Sequence, residues 1–326
     1  MILIISNKWD VTVDFVVLEL QKRKHSYVRL NTEDLVSNRV LINAPDISIT
    51  FENERHRIDL VRDVGAVWNR RPGFPFDEIS KTDRPSQGVQ LFITDQWRML
   101  RYGLTAAADI AWVNPPDAEL RAESKVHQLV LARKLGFAVP ETLFTNDPDA
   151  IRAFASRRDG RVIAKAMYTP LIEEEDQDRF IFTSKLEMPC AKDDASIALC
   201  PFIVQERITP KTDYRVTVIG DVVIAARIES NSGRSVDLDW RTQKDGLSFV
   251  ECKLPPRIAA LCNSYVKASG LFFGAIDLVE RDDTFFFLEI NPNGEWGWLQ
   301  KPMGLPIAER LCDLLVSLDR RNPNER

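Results

Sequence analysis

The sequence predicts an α/β (α+β) chain with more than one lobe, and three observations carry this. Met1-Ile2-Leu3-Ile4-Ile5-Ser6 reads as a buried strand and runs into a stretch with helical spacing, the start of an α/β unit. From Phe202 onward, short β-prone runs and tight turns dominate instead. At 326 residues, 44% of them hydrophobic, the chain is long enough for two or three packed layers.

The elements follow in order. Asp10 to Arg23 spaces Val13, Val16, Val17 and Leu20 as a helix does, and Tyr27-Val28-Arg29-Leu30 is a second strand. Residues 47–51 and 58–60 suggest a hairpin, and Ala66-Val67-Trp68 another strand. Pro and Gly make Arg70-Arg71-Pro72-Gly73-Phe74-Pro75 a loop. An amphipathic helix is expected over 86–108, and Asn114-Pro115-Pro116 marks a boundary. A helix over 122–135, closed by Gly136, opens the next segment. It continues through an extended run at Val139, a helix over 148–157 and the strand Arg161 to Lys165. Residues 170–179 are polar and acidic, and Arg179 to Lys185 reads as a strand facing a mobile flap. Strands return at 202–205, 214–219 and 222–229. A helix over 255–269, a hairpin and a closing helix over 306–319 complete the chain.

A net charge of −5 speaks against nucleic acid as the main partner, because phosphate binding wants a basic face. Five cysteines, an odd number with no C-x-x-C pair, suit reduced thiols in a cytoplasmic protein. No apolar run reaches membrane-spanning length, and the first strand is too short for a signal core.

The hairpin near the C-terminus carries the most chemistry. Phe285-Phe286-Phe287-Leu288-Glu289-Ile290-Asn291 alternates, so Glu289 and Asn291 point the same way. Asp277 lies in the preceding run, across the turn-like Arg281-Asp282-Asp283-Thr284. Three hard oxygen ligands on one face suit Mg²⁺, which binds through one or two carboxylates plus nucleotide phosphates. If Asp277 faces Glu289, a three-residue loop, Asp282 to Thr284, is required; a two-residue loop puts Leu288 opposite instead.

Lys125 opens a helix. Lys165 is embedded in the apolar Val162-Ile163-Ala164 strand, where an unpaired ammonium is costly and a nucleotide phosphate would supply the anion. Gln205-Glu206-Arg207-Ile208 is a polar hinge whose extended backbone can meet an adenine edge, and Asp213 can take the ribose hydroxyls. Arg215 and Arg227 lie on adjacent runs around Gly220-Asp221, and their guanidiniums suit phosphates and carboxylates. Ordinary cross-strand ion pairing is the plainer use of such arginines.

In this order, Lys125, Lys165, Glu206, Asp213, Arg215, Arg227, Asp277, Glu289 and Asn291 resemble the ATP-grasp superfamily over nearly the whole chain. Gln205-Glu206-Arg207-Ile208, Asp213-Tyr214-Arg215, Asp239-Trp240-Arg241 and Asn291-Pro292-Asn293-Gly294-Glu295-Trp296 resemble more narrowly the microviridin-type (graspetide) peptide-modifying ligases. Arg70-Arg71 after Trp68 fits that group, while Asn293 departs from its loop.

The resemblance implies an ATP-grasp fold: an N-terminal α/β domain over 1–115, a central lid domain over 116–201 and a C-terminal catalytic domain over 202–326. It implies ATP with two Mg²⁺ ions, and a ribosomally made precursor peptide, leader plus core, as partner. Asp or Glu side chains of that peptide would be joined to Ser/Thr hydroxyls or Lys amines. It leaves room for a homodimer. Lys125, Lys165, Gln205, Glu206, Arg207, Ile208 and Asp213 would hold nucleotide, and Asp277, Glu289 and Asn291 metal; Arg215 and Arg227 would be catalytic. An intermolecular ligase adding an amino acid to a carboxylate is the alternative.

Substrate candidates are softer. The run Glu173-Glu174-Glu175-Asp176 is a solvated loop or a docking patch for a basic leader residue, and Asp193-Asp194 is a second such patch. Asp239 and Arg241 are a candidate base and its ion-pair partner.

Overall fold

The computed structural model describes the chain except residues 38, 44–47, 53–56, 74–75, 77–78, 81–82, 107–109, 169–170, 173–178, 231–237, 241–245 and 320–326, and describes only the backbone at 36–37. The N-terminal part is built on a four-stranded parallel sheet in the order Tyr27–Asn31, Ile2–Ser6, Ala66–Asn69, Ala111–Val113. From Ile2–Ser6 the sheet grows in both directions, so a crevice opens beyond the carboxyl ends of Ile2–Ser6 and Ala66–Asn69, the usual ligand position in such sheets. Asn7 and Arg70-Arg71 follow those ends directly.

The first helix, Val11–Lys22, starts at Asp10, whose side chain accepts from the Thr12 N–H. It buries Val13, Val16 and Leu20 against the closing helix Ile307–Leu318, whose Leu311, Cys312 and Leu315 join the same core. The expected hairpin is present as Ser48–Glu52 and Arg57–Asp59, with Arg39–Asn43 added at its edge.

A four-stranded antiparallel sheet follows, in the order Ser184–Lys185, Val162–Lys165, Phe202–Glu206, Thr142–Thr145. The strand Phe202–Glu206 is bonded on both sides within this sheet, so the expected boundary at 201 separates it from its sheet partners. The start of the central segment also moves. The helix expected over 122–135 is two helices, Pro116–Glu123 and Lys125–Leu135, because Ser124 ends one and caps the other. Both pack on the five-stranded sheet of strands between Thr212 and Asn291: Ala118, Ala122 and Ala132 share a core with Val216, Ile276 and Phe287. The Arg179 to Lys185 strand divides: Arg179–Phe180 pairs with Leu171–Ile172, and Ser184–Lys185 with Val162–Lys165.

The third sheet is antiparallel and five-stranded: Leu247–Cys252, Val222–Ser230, Thr212–Ile219, Phe273–Arg281, Thr284–Asn291. The helix Pro256–Ala268 covers one face through Cys262, Tyr265 and Val266. The opposite face looks toward the four-stranded sheet and carries the acids.

Candidate active site

Asp277 lies opposite Glu289, and Ala275 opposite Asn291, so the three proposed metal ligands share a face. The loop that achieves this differs from the expected one. Arg281 pairs with Thr284 around a two-residue turn, with Asp282 and Asp283 in the left-handed region at φ 50° and 59°. That register runs to Leu278 opposite Phe287; Leu288 is then bulged, and Asp277 meets Glu289. Phe287 is therefore buried against Tyr265 and Phe137, while Leu288 and Glu289 both line a cavity on the other side.

Two buried amides brace this strand from outside the sheet. Gln128 donates to the Ile290 carbonyl at 2.9 Å and accepts from the Ile290 N–H at 3.2 Å, fixing the backbone between Glu289 and Asn291. Asn114 donates to the carbonyls of Phe273 and Pro292 and accepts from the N–H groups of Phe272 and Phe273. Arg215 pairs with Asp277 at 2.8 Å, both buried. Lys125 pairs with Glu289 at 3.0 Å, and the Asn291 amide donates to Glu289 at 3.3 Å. Two carboxylates and an amide oxygen on one face, beside the Lys125 ammonium, fit a Mg²⁺ shared with nucleotide phosphates.

A cavity of about 370 Å³ lies between the two antiparallel sheets, lined by Lys125, Lys165, Gln205, Asp239, Glu289 and Asn291 among others. Lys165 donates to the Gln205 side chain at 2.8 Å. An adjoining recess of about 50 Å³ brings in Glu206, Arg207, Ile208, Lys211 and Asp213. The hinge N–H groups of Glu206 and Arg207 are taken by the carbonyls of Glu141 and Arg161. Asp213 forms an ion pair with Lys211, a partner the sequence reading did not name. Burial pushes the Asp213 carboxyl up, against the pull of Lys211 and with the help of Asp277 and Asp239.

Arg227 does not belong to this site. Ile219 pairs with Val222 across the Gly220-Asp221 turn, so Arg215 meets Ala226, and Arg227 meets Tyr214 on the helix-covered face. It forms an ion pair with Glu229. The expectation of two arginines on the transferred phosphoryl reduces to Arg215.

A larger, open cleft of about 870 Å³ adjoins the first cavity and shares Glu123 and Asn291 with it. Its walls come from the N-terminal crevice (Asn7, Arg71, Pro72), from Arg215 and Asn293 to Glu295, and from Trp240, Phe249 and Trp298. The last three pack ring against ring, with centroids 4.7 to 6.1 Å apart. Arg70, 1% exposed, holds the cleft together. Its Nε donates to Asp10 at 2.9 Å, and its Nη1 to the carbonyls of Asn293 at 2.6 Å and Gly294 at 3.1 Å. Burial lowers Arg70 to about 10, with Asp10 opposing, so it stays charged at neutral pH.

Glu119 and Glu123 escaped the sequence reading, although their i,i+4 spacing on an acidic helix was a usable signal. Burial raises the Glu119 carboxyl to about 8; it accepts from Asn69 at 2.6 Å. Burial also raises Glu123, with Lys125 pulling it down and Glu289 pushing it up. Among the substrate candidates, Asp239 lines the cavity of about 370 Å³. Asp193 caps the Cys190 N–H and Asp194 pairs with Arg152 at 2.7 Å, and neither lines a cavity described above. Glu173, Glu174 and Arg241 lie outside the described residues.

Comparison with known proteins agrees with this geometry. The RimK-like ATP-grasp domain matches residues 122–315, more than half of the chain. The macrocyclase MdnC of Microcystis aeruginosa, bound with precursor peptide MdnA, superposes with a TM-score of 0.84 at 25% identity, covering 97% of this chain and 99% of that one. A Chryseobacterium gregarium RiPP-associated ATP-grasp ligase, in complex with ADP and a leader and core peptide, gives 0.85 at 26%, covering 98% of each. Tetrahydromethanopterin:alpha-L-glutamate ligase of Methanocaldococcus jannaschii is 24% identical over 214 residues, 63% of this chain and 69% of that one. Among the described residues, no helix is long and apolar enough to cross a membrane. With its two antiparallel sheets closing on a cavity of lysines, hinge and acids, the chain is an ATP-grasp ligase and belongs to the RimK-like family.

Proposed function

We propose that this protein activates Asp or Glu side chains of a ribosomally made precursor peptide as acyl phosphates and joins them to Ser/Thr hydroxyls or Lys amines of the same peptide. The observation that carries the reading is the second cleft: about 870 Å³, open, and in contact with the nucleotide cavity through Asn291 and Glu123. A free amino acid needs far less room, whereas a peptide strand can lie along it. The likeness to two ligases bound to precursor peptides supports the same substrate class.

A carboxylate is a poor electrophile, so it must first receive the γ-phosphoryl of ATP. Lys125 and Lys165 would hold phosphates, and the hinge at Ile208 the base. Two Mg²⁺ ions would neutralise charge on the phosphate oxygens. Asp277, Glu289 and Asn291 would hold them. Arg215, already 2.8 Å from Asp277, would steady the transferred phosphoryl and then the tetrahedral oxyanion. Ring closure follows when the peptide's own hydroxyl or amine attacks and phosphate leaves.

Co-expression with a peptide encoded beside this gene, followed by mass spectrometry, tests the reading: each ring removes one water. An unchanged mass with an intact, ATP-hydrolysing enzyme would reject it. The likeness to a glutamate ligase supports a second reading, addition of a free amino acid to a carboxylate. That reading predicts ATP hydrolysis stimulated by free amino acids rather than by peptide.

A further inference from the structure

The cleft wall contains a carboxylate of its own. Glu295, about half exposed, rests on Arg71 and lies 3.2 Å from Arg70 Nη2. The two arginines are differently placed. Arg70 is buried and already neutralised by Asp10. Arg71 is half exposed, and Glu295 is its ion-pair partner among the described residues. Its backbone sits in the left-handed region at φ 44°, and its carbonyl accepts from the Asn7 side chain at 2.5 Å. A non-glycine residue there pays for a fixed direction. Beside it, Arg215 Nη2 donates to the Glu295 carbonyl at 3.3 Å, so this pair adjoins the arginine assigned to the reacting carboxylate.

We propose that Arg71 is the docking point for a second, non-reacting carboxylate of the substrate, and that Glu295 occupies it as an internal stand-in until displaced. The inference rests on the peptide reading above and adds a requirement: a substrate with two acidic side chains within reach of one another. An arginine offers a carboxylate two parallel donors, so an incoming carboxylate can take the place on Arg71 that Glu295, half exposed, gives up to solvent. Glu295 thus acts as a competitor. If it covers Arg71 nine-tenths of the time, removing it tightens substrate binding about ten-fold.

The test is direct binding of two fluorescent peptides to the full chain without ATP. One is Thr-rich with two glutamates; the other has one of them replaced by glutamine. The wild type should prefer the first. Glu295→Gln should bind it about ten-fold tighter, with little change for the second. Arg71→Met should lose the preference, and Arg71→Lys should keep part of it; cooperative melting shows that each is folded. Equal or weaker binding by Glu295→Gln overturns the proposal, as does a preference surviving in Arg71→Met or no binding to any variant. Ring closure is scored separately by water loss. A two-glutamate preference without ring closure would therefore reject the macrocyclase reading and keep the subsite.

Discussion

Asp277 stands opposite Glu289 although the hairpin that joins them turns in only two residues. The bulged Leu288 supplies the missing step. It reverses the faces, so that Phe287 enters the core and Glu289, two residues on, faces the cavity. The acids should therefore be separable from folding. Asp277→Asn and Glu289→Gln are expected to melt cooperatively, Asp277→Asn at a lower temperature because it strands the buried Arg215, and both to lose Mg²⁺-dependent ATP hydrolysis. A variant that cyclises peptide at the wild-type rate would remove that residue from the metal site.

Lys165 lines the cavity between the sheets and donates to Gln205 at 2.8 Å. Losing one charge-assisted contact costs about 1.5–3 kcal/mol, ~ten- to a hundred-fold in affinity. Calorimetric titration of ATP into Lys165→Met should show that loss, and unchanged affinity would place the ammonium away from the phosphates.

Gly294 has little room for a side chain. A Cβ there would overlap that of Ala275 and come within 2.7 Å of Arg215 Nη2. Gly294→Ala should displace Arg215 and lower kcat more than it raises KM for ATP. Wild-type turnover in the alanine variant would show that Arg215 tolerates displacement.

Glu119 gives a pH dependence of defined sign. Its folded-state value, about 8, lies above the ordinary 4.5 because burial favours the neutral acid. The folded state thus binds the extra proton, and stability is full below about 4.5 and declines as pH rises toward about 8. Asn293, Arg101 and Arg70 oppose the rise and Glu123 adds to it, while Asn69 donates to the carboxyl. Denaturant melts of wild type and Glu119→Gln between pH 5 and 9 should differ mainly in slope, the variant being flatter. Parallel curves would show that Glu119 does not titrate there.

Much of this site was legible because its chemistry lies in short runs. The alternation in Glu289-Ile290-Asn291 and the apolar surroundings of Lys165 locally mark where these side chains lie, on one face and on one strand of the cavity. The misassignment of Arg227 was avoidable: a two-residue turn at Gly220-Asp221 already sets Arg215 against Ala226. The bulge at Leu288 was not, since nothing in an apolar run marks which residue is skipped. Nor were the bonds of Gln128 to Ile290 and of Asn114 to Phe273 and Pro292, which span more than a hundred residues and leave no trace in the neighbouring sequence. The sheet to which Phe202–Glu206 belongs was hidden for a related reason, because strand pairing and not sequence order decides it.

Arg70 has a bearing on how such enzymes can be recombined. It stands outside the matched stretch 122–315, yet it grips the carbonyls of Asn293 and Gly294 inside it. Removing one partner of a buried ion pair typically costs about 3–5 kcal/mol, because the other charge is stranded. A chimaera that grafts the C-terminal part of this chain onto a foreign N-terminal half would lose that strut unless the donor brings its own arginine and acid. Such hybrids should then fail in turnover even with the cognate peptide bound. Restoring the Arg70 and Asp10 positions together, rather than either alone, is what should make the halves interchangeable.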